Sequence, residues 1–161
     1  MLNKITPPEI DAFDRKILRM LQLDNQTPQR VIGAKVNLSA AAVQRRIKRM
    51  QDRGIIMGNV AIIAPEKVGR PITLIVEVSV ENERIDLLDS IKRNFAAAPE
   101  VQQCYYVTGE VDFVLVVNVT DMAEYEAMTR RLFFGDHNVT KFRTLVAMDR
   151  VKTGVSIPIT E

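Results

Sequence analysis

The chain has 161 residues, 47% of them hydrophobic and 26% charged, which is typical of a globular protein with a buried core. A single cysteine, Cys104, excludes a disulfide framework, and with a single histidine, His137, it leaves too few ligands for a structural zinc site. Residues 1–54 hold 11 Lys or Arg against 5 Asp or Glu (net +6) and residues 55–161 hold 11 against 15 (net −4), so the first part is expected to meet a polyanion.

The N-terminal segment Met1–Asp14 carries charges at Lys4, Glu9 and Asp11, which is not the pattern of a secretory signal peptide. No apolar run approaches the roughly 18–20 residues of a membrane span. Together with the single thiol, these features predict a cytoplasmic protein without a membrane partner.

The first 54 residues predict three helices. Ile10, Phe13, Ile17 and Leu21 recur at helical spacing and predict the inner face of the first helix. The pair Thr27-Pro28 predicts the start of a short second helix, because Thr can cap a helix and Pro suits its first position.

A tight turn is predicted between the second and third helices. Asn37 tolerates the left-handed conformation that such a turn needs, and Ser39 is expected to cap the third helix. Gly54 is expected to end it. The inner face of the third helix is predicted at Val43, Ile47 and Met50. This spacing is that of a helix-turn-helix, in which the second helix of the pair enters the major groove of DNA.

The outward side of the third helix supplies the candidate DNA contacts. Gln44 is suited to an adenine edge and Arg45 to a guanine edge, the remaining cations to phosphates, and the small side chains to close approach. The alternative is a solvated basic face on an ordinary helix bundle, but five cations fall within the nine residues 45–53. The predicted DNA-binding residues are Ser39, Ala40, Ala41, Gln44, Arg45, Arg46, Lys48 and Arg49.

The second part of the chain predicts an α+β fold. A candidate connecting strand, 55–64, ends at Pro65, and the order that follows is β-α-β-β-α-β, the ferredoxin-like split βαβ unit. The predicted strands are 72–80, 101–107, 112–120 and about 139–149, and the helices are 84–97 and 122–134. The predicted domains are 1–54 for DNA binding, 55–70 as a linker, and 71–161 for effector binding and oligomerisation.

The predicted sheet has two apolar faces, although helices cover one of them. The inner faces of the helices are expected at Ile85, Leu88, Ile91 and Phe95, and at Tyr125, Met128 and Leu132. A sheet covered on one side only should be polar on the other. Here the other face offers Ile75, Val114, Val116, Leu145 and Ala147. We therefore expect a second subunit to pack against it, sheet to sheet.

A turn at Val107–Asp112 is the candidate effector site. A free amino acid needs a carboxylate for its ammonium group and N–H groups for its carboxylate, and a Gly109 turn beside Asp112 can provide both. Tyr105 and Tyr106 are expected to wall the pocket. The alternative is that Gly109 serves only the turn and that Asp112 only caps a strand.

Taken together, these motifs resemble the Lrp/AsnC family of regulators over almost the whole chain. The matching segments are Phe13–Leu18 in the first helix, Val36–Ser39 in the turn, Arg45–Met50 in the recognition helix, Arg53–Gly58 at the linker, and Val107–Phe113 around the Gly-x-x-Asp turn. The chain departs from the family at Asn37, where Gly is usual, and at Ala40–Ala42, where Pro and Thr are common, which bears on base preference.

The resemblance implies dimers that assemble into octamers and bind an amino acid between dimers, beside the Gly-x-x-Asp turn. In family members, positions that alter the effector response match Asp112, Met122 and the strand Leu145-Val146-Ala147. The full set of expected effector contacts is Tyr106, Thr108, Gly109, Asp112, Met122, Leu145, Val146 and Ala147.

We therefore expect a sequence-specific DNA-binding transcriptional regulator, without a cofactor, whose homo-oligomer responds to an apolar amino acid such as leucine or methionine. An amino-acid enzyme is the first alternative, and it lacks a catalytic pair, a metal set and a phosphate loop in the sequence. RNA binding on the sheet is the second. It would use Tyr105 or Tyr106, and the acidic charge of this part argues against it. His137 is expected at the surface and Cys104 in the core.

Overall fold

The computed structural model describes residues 10–160, so Lys4, Glu9 and the start of the predicted DNA-binding domain lie outside the described residues. Two compact units are present. The first contains the described residues through Ala61 together with those from Thr153 onward, and the second spans Ile62–Lys152. The predicted third domain ran to residue 161, whereas the structure assigns its last residues to the first unit.

Three helices form the first unit: α1 (Ala12–Leu23), α2 (Gln29–Val36) and α3 (Ala40–Asp52). α1 begins with a capping box, in which Asp11 accepts from the N–H of Asp14 at 2.9 Å and Asp14 accepts from the N–H of Asp11 at 3.3 Å. One side of each helix meets the others in a single apolar core. Its buried members are Ile17, Leu18, Ile32, Val36, Val43 and Met50.

The turn between α2 and α3 has the predicted left-handed residue. Asn37 lies at φ 56° and ψ 46°, and Ser39 then caps α3 by accepting from the N–H of Ala42 at 3.2 Å. Gly33 permits the close return of the chain, because a Cβ there would overlap the carbonyl oxygen of Leu38. Gly54 follows α3 at φ 69°, as expected of the residue that ends it.

Two local predictions in this unit were wrong. Thr27 does not cap α2: its hydroxyl donates to the carbonyl oxygen of Asp24 at 2.8 Å, and Pro28 occupies the cap position. Phe13 is 40% exposed rather than interior, because α1 turns Asp14 and Ile17 toward the other helices. The period of the pattern was correct, but the buried stripe is narrower than predicted.

The C-terminal segment packs along α1. The carboxamide of Gln22 donates to the carbonyl oxygen of Ile157 at 3.0 Å and accepts from its N–H at 2.8 Å, while Arg19 donates to the carbonyl oxygen of Ile159 at 2.9 Å. Ile159 also packs against the apolar core of the three helices. These contacts explain why the segment belongs to the first unit.

The second unit has the predicted order β1 (Ile72–Val80), α4 (Ile85–Ala97), β2 (Val101–Tyr106), β3 (Phe113–Val119), α5 (Met122–Thr129) and β4 (Val139–Val146). The four strands form one antiparallel sheet in the order β2-β3-β1-β4. Alternate residues of β1 and β3 are buried against the two helices, so one face of the sheet carries the core. The predicted α+β fold class is confirmed.

Several elements of this unit differ from their predicted extents. Residues 57–64 form no strand, since no other part of the described chain pairs with them, and Pro65–Val68 is a short 3-10 helix. β4 ends at Val146, three residues early. After α5 the chain continues as a π-helical turn, Arg130–Phe134.

Helix packing follows the predicted periodicity with one exception. Leu88, Ile91 and Phe95 of α4 are buried, but Ile85 is 77% exposed because it begins the helix, beyond the edge of the core. The predicted inner residues of the last helix, including those of the π-helical turn, are buried. His137 lies at the surface, as expected.

The sheet face away from the helices has an apolar part and a charged part. Ile75, Val114 and Val116 are half-buried and lie beside Leu145, which is 45% exposed. Further along, Glu77 pairs with Arg143 across β1 and β4 at 2.6 Å. In the described residues, no helix is long and apolar enough to cross a membrane.

Candidate DNA interface and effector turn

The outward side of α3 presents most of the predicted DNA contacts. Gln44, Arg45 and Lys48 are exposed, as are the small residues of the first turn. Lys48 is 3.4 Å from Asp52 one turn later, but both side chains are largely exposed, so this pair is weak and open to exchange. The exposed members of the predicted set are Ser39, Ala40, Ala41, Gln44, Arg45 and Lys48.

Arg46 and Arg49, the other two predicted contacts, are turned toward α1. Arg46 donates to Asp14 at 2.9 Å and to Asp11 at 2.6 Å, and Arg49 donates to Asp14 at 2.5 Å. The guanidinium carbon of Arg46 also lies 5.3 Å from the centre of the Phe13 ring. Their cations are thus engaged within the chain, a pairing that the sequence analysis missed because the partners are more than 30 residues apart.

The electrostatics of this cluster favour its charged form. The hydrogen bonds to Asp11 and Asp14 raise the pKa of Arg46 above its usual value, and burial opposes them only in part. Burial also raises the pKa of Asp11, but the N–H of Asp14 and the guanidinium of Arg46 outweigh it and hold that pKa below its ordinary value. The ion pair between Arg46 and Asp11 therefore persists at neutral pH.

At the effector turn, Asp112 forms hydrogen bonds with the end of β1. Its carboxylate accepts from the N–H of Val80 at 2.8 Å, and its own N–H donates to the carbonyl oxygen of Val78 at 3.0 Å. The N–H of Val107 donates to the carbonyl oxygen of Asp112 at 2.9 Å, which closes the turn. Gly109 lies at φ 143°, a conformation that favours glycine. Asp112 therefore caps a strand end while remaining half-exposed.

The two tyrosines near the turn lie on opposite sides of β2. Tyr106 faces the helices, with its ring 5.1 Å from that of Phe113 and the Lys92 ammonium 4.7 Å from its centre. Tyr105 faces the other way, and its hydroxyl donates to Gln103 at 2.9 Å. Of the two tyrosines that were expected to wall the effector pocket, only Tyr106 lies on the helix side of the turn.

A single chain does not bring the predicted effector residues together. The turn that holds Thr108, Gly109 and Asp112 precedes β3, whereas Met122 follows it, and β3 spans about 20 Å. The strand segment Leu145–Ala147 lies at the Met122 end, since Val146 pairs with Leu74 and Ile72 pairs with Val119. These residues can share one site only if different copies of the chain contribute them.

A small cavity of about 180 Å³ lies beside the turn on the open sheet face. Glu77 and Glu110 line it together with Lys141 and Arg143, so its wall carries both signs of charge, as a zwitterion requires. Sequence reasoning missed these residues, because only the strand register brings β1 and β4 together here.

Other chemistry finds little support in the described residues. No group of three Cys, His, Asp or Glu side chains could hold a metal ion there. Cys104 packs against the core of the second unit, where burial raises the pKa of its thiol and the charge of Lys92 opposes that shift. The thiol is consequently a poor nucleophile.

Comparison with known families assigns both units. Residues 10–51 match the AsnC-type helix-turn-helix domain, and residues 73–157 match the Lrp/AsnC ligand binding domain. An HTH-type transcriptional regulator of Sinorhizobium fredii is 44% identical over 94% of this chain and 89% of its own length. The leucine-responsive regulatory protein of Haemophilus influenzae is 34% identical over 89% of this chain and 86% of its own.

Solved structures agree with these matches. An AsnC family transcriptional regulator from Agrobacterium tumefaciens superposes with a TM-score of 0.85 at 32% identity, covering 92% of this chain and 97% of that one. The transcriptional regulator NMB0573 of Neisseria meningitidis, solved as an L-Met complex, has a TM-score of 0.84 at 27% identity and covers 93% of this chain and 97% of its own.

Proposed function

This chain belongs to the Lrp/AsnC family of DNA-binding transcriptional regulators, and we propose that its homo-oligomer changes DNA affinity when a small apolar amino acid binds between subunits. The family and the relatives are regulators rather than enzymes. The cytoplasm, where duplex DNA and free amino acids meet, is the compartment that fits this role.

The amino-acid effector is supported most directly by the L-Met complex of the Neisseria regulator, which shares the fold of this chain at 27% identity. The ligand binding domain matched at residues 73–157 agrees with such a role. Methionine or leucine suits the exposed apolar side chains of Met122 and Val146, whereas Leu145 lies beside Ile75 on the open face of the sheet. Asp112 would pair with the ammonium group through the carboxylate that already caps β1.

For DNA binding, each copy would insert the exposed side of α3 into a major groove. Gln44 and Arg45 would read adenine and guanine edges, and Lys48 would bind a phosphate. Ala40 and Ala41 leave room for close approach of the helix to the bases.

Oligomerisation would use the open face of the sheet. Ile75, Val114, Val116 and Leu145 form an apolar area there that a second copy would cover, giving a dimer with two recognition helices. Dimers would then assemble into an octamer, as the family resemblance implies. The separation of Asp112 from Met122 within one chain supports an effector site between dimers.

Regulation follows from linkage in this arrangement. An effector that prefers one arrangement of dimers shifts the equilibrium toward it, and the DNA affinity changes by the coupling free energy. DNA must shift the effector affinity by the same factor.

The experiment is thermal unfolding of the protein with each of the twenty amino acids at millimolar concentration. A ligand at about 100 times its Kd stabilises by about 2.7 kcal/mol per site. We expect a shift with one or two apolar amino acids and its loss in Asp112→Asn, which keeps a side-chain acceptor for Val80 but removes the charge. Asp89→Asn, an exposed acid on α4, is the control. An unchanged shift in Asp112→Asn, or no shift with any amino acid, would contradict the proposal.

A further inference from the structure

The carboxylate of Asp14 is buried between α1 and α3. Its residue has no exposed surface, and its two oxygens accept from Arg46 at 2.9 Å and from Arg49 at 2.5 Å. The two arginines are three positions apart on α3, so they lie on one side of that helix. Asp11 provides Arg46 with a second carboxylate at 2.6 Å.

We propose that Asp14 is a positioning residue for DNA recognition, which acts through Arg46 and Arg49 to fix the rotation of α3 about its own axis. The rotation decides whether Gln44 and Arg45 meet base edges or miss them. Asp14 itself is too deeply buried to touch DNA. The direction that the exposed side of α3 faces is thus determined by a residue of α1.

Directionality is the reason that this cluster can hold a rotation. Val43 and Met50 are the buried residues by which α3 joins the apolar core of the unit, and apolar burial has no preferred direction. A carboxylate held by two guanidinium groups accepts hydrogen bonds in defined directions, so a turn of α3 about its axis would break them.

Stability alone is a weaker explanation of the cluster. Removing charges from water costs free energy. Apolar residues of similar volume therefore often stabilise a fold at least as much as a buried ion pair does. Specific base contacts, in contrast, require donors and acceptors to be placed within hydrogen-bond distance. The ion pairs of Asp14 with Arg46 and Arg49 meet that requirement, because they hold α3 in one orientation.

The proposal also divides the cations of α3 into two groups. Arg46 has 21% of its side chain exposed, and its charge is matched by Asp11 and Asp14. Arg45 and Lys48 are exposed. We therefore assign Arg46 to positioning, and leave phosphate contacts to the exposed cations.

The test compares Asp14→Asn and Arg46→Gln with the native protein on two duplexes. One duplex is selected by the native protein from a random pool, and the other has the same bases in scrambled order. We expect the ratio of the two affinities to fall about tenfold in both variants, the equivalent of about one misplaced base contact. The slope of log affinity against log salt should stay unchanged in Arg46→Gln, because no phosphate contact is lost.

Ile17→Val is the matched control, since it loosens the same face of α1 without touching the ion pairs. It should lower the melting temperature and leave the affinity ratio intact. Two results would overturn the proposal. One is an Asp14→Asn protein that is less stable but keeps the native ratio, and the other is an Arg46→Gln protein that loses affinity equally for both duplexes with a slope about 0.9 smaller. If Asp14→Asn does not fold, Arg46→Gln carries the test alone, because Arg49 still pairs with Asp14.

Discussion

The two candidate sites of this molecule differ in how much of each one chain contains. The DNA interface comes from a single helix, and all its exposed contacts lie within ten residues, from Ser39 to Lys48. The effector residues are divided between the two ends of a sheet, with Asp112 at one and Met122 at the other. On the proposed assignment, a monomer therefore holds all of the candidate DNA-binding residues on one surface but only part of the candidate effector site.

This difference suggests how the protein is regulated. A DNA surface that is complete in one chain gains affinity when copies are held at the spacing of half-sites. An effector site that needs two copies reports on the arrangement of those copies. The oligomer is the element that both ligands would bias, as linkage requires.

Gly33→Ala is expected to have the largest effect among changes that should affect the DNA interface but not the effector site. The new methyl group would overlap the carbonyl oxygen of Leu38 in the turn before α3, a backbone atom that cannot move aside. We expect a loss of about 3 kcal/mol in the stability of the first unit, together with loss of DNA binding. Thermal unfolding and DNA titration measure both.

Gly58→Ala is the control, because nothing lies within 4 Å of a Cβ at that position. The amino-acid response should survive in Gly33→Ala. Its disappearance would mean that the effector site depends on the first unit and is not independent of the DNA interface.

The second largest effect is expected from a charge on the open sheet face, in the unit that contains the effector residues. Leu145→Arg places a cation within the apolar area of Ile75, Val114 and Val116. We expect dimerisation to weaken by about 2–3 kcal/mol, because the charge would be buried without a partner. Analytical ultracentrifugation measures the change, with Asn94→Arg on the exposed side of α4 as the control. A native dimer in Leu145→Arg would place the interface elsewhere.

Removing the segment after Lys152 should lower the stability of the first unit by a smaller amount. The protein would lose the packing of Ile159 and the hydrogen bonds that Arg19 and Gln22 make with the segment. We expect the first unit to lose about 1–2 kcal/mol, given about 1 kcal/mol for a typical net hydrogen bond. Thermal unfolding should show an early transition for this unit alone. If only the second unit is destabilised, the segment belongs there instead.

The smallest expected effect is the acid dependence of Glu124 at the start of α5. The N–H of Thr120 holds the pKa of Glu124 below its ordinary value of 4.5, burial opposes this, and the Thr120 hydroxyl and Arg70 add to it. Because the folded pKa is lower than the unfolded one, the stabilisation is complete above the unfolded value and disappears as pH falls through the folded value.

Glu124→Gln should therefore cost less than about 1 kcal/mol at pH 7, and the cost should begin to fall near the unfolded pKa of about 4.5 and vanish below the folded pKa. Urea unfolding at a series of pH values measures it. A cost that stays constant down to pH 3 would contradict a role for the ionised carboxylate.

The sequence predicted those features that depend on neighbouring residues. The Ser39 cap, the left-handed Asn37 and the alternation along β1 follow from local hydrogen bonding and side-chain period, and the structure has all three. Gly33 was missed, although an isolated glycine inside a short helix signals close packing. Each of these signals lies within a few residues.

Features that join distant parts of the chain escaped the sequence analysis. Asp14 is paired with Arg46 across 32 residues, and Gln22 with Ile157 across 135. No periodicity connects such positions, because their approach is set by the packing of whole elements. The strand expected at 55–64 is absent for a related reason, since a strand needs a pairing partner and no part of the described chain pairs with this segment.

Subunit complementation tests most directly whether two copies complete the effector site. Asp112→Asn and Met122→Arg would each be purified alone, and then as mixed oligomers from co-expression with different tags. The amino acid identified by the thermal screen would be titrated by calorimetry. We predict no binding by either variant alone and about a quarter of the native sites in the mixture, since random assembly pairs an intact Asp112 with an intact Met122 that often. Mixed oligomers without any binding would contradict the account, because they would mean that one chain supplies both residues to each site.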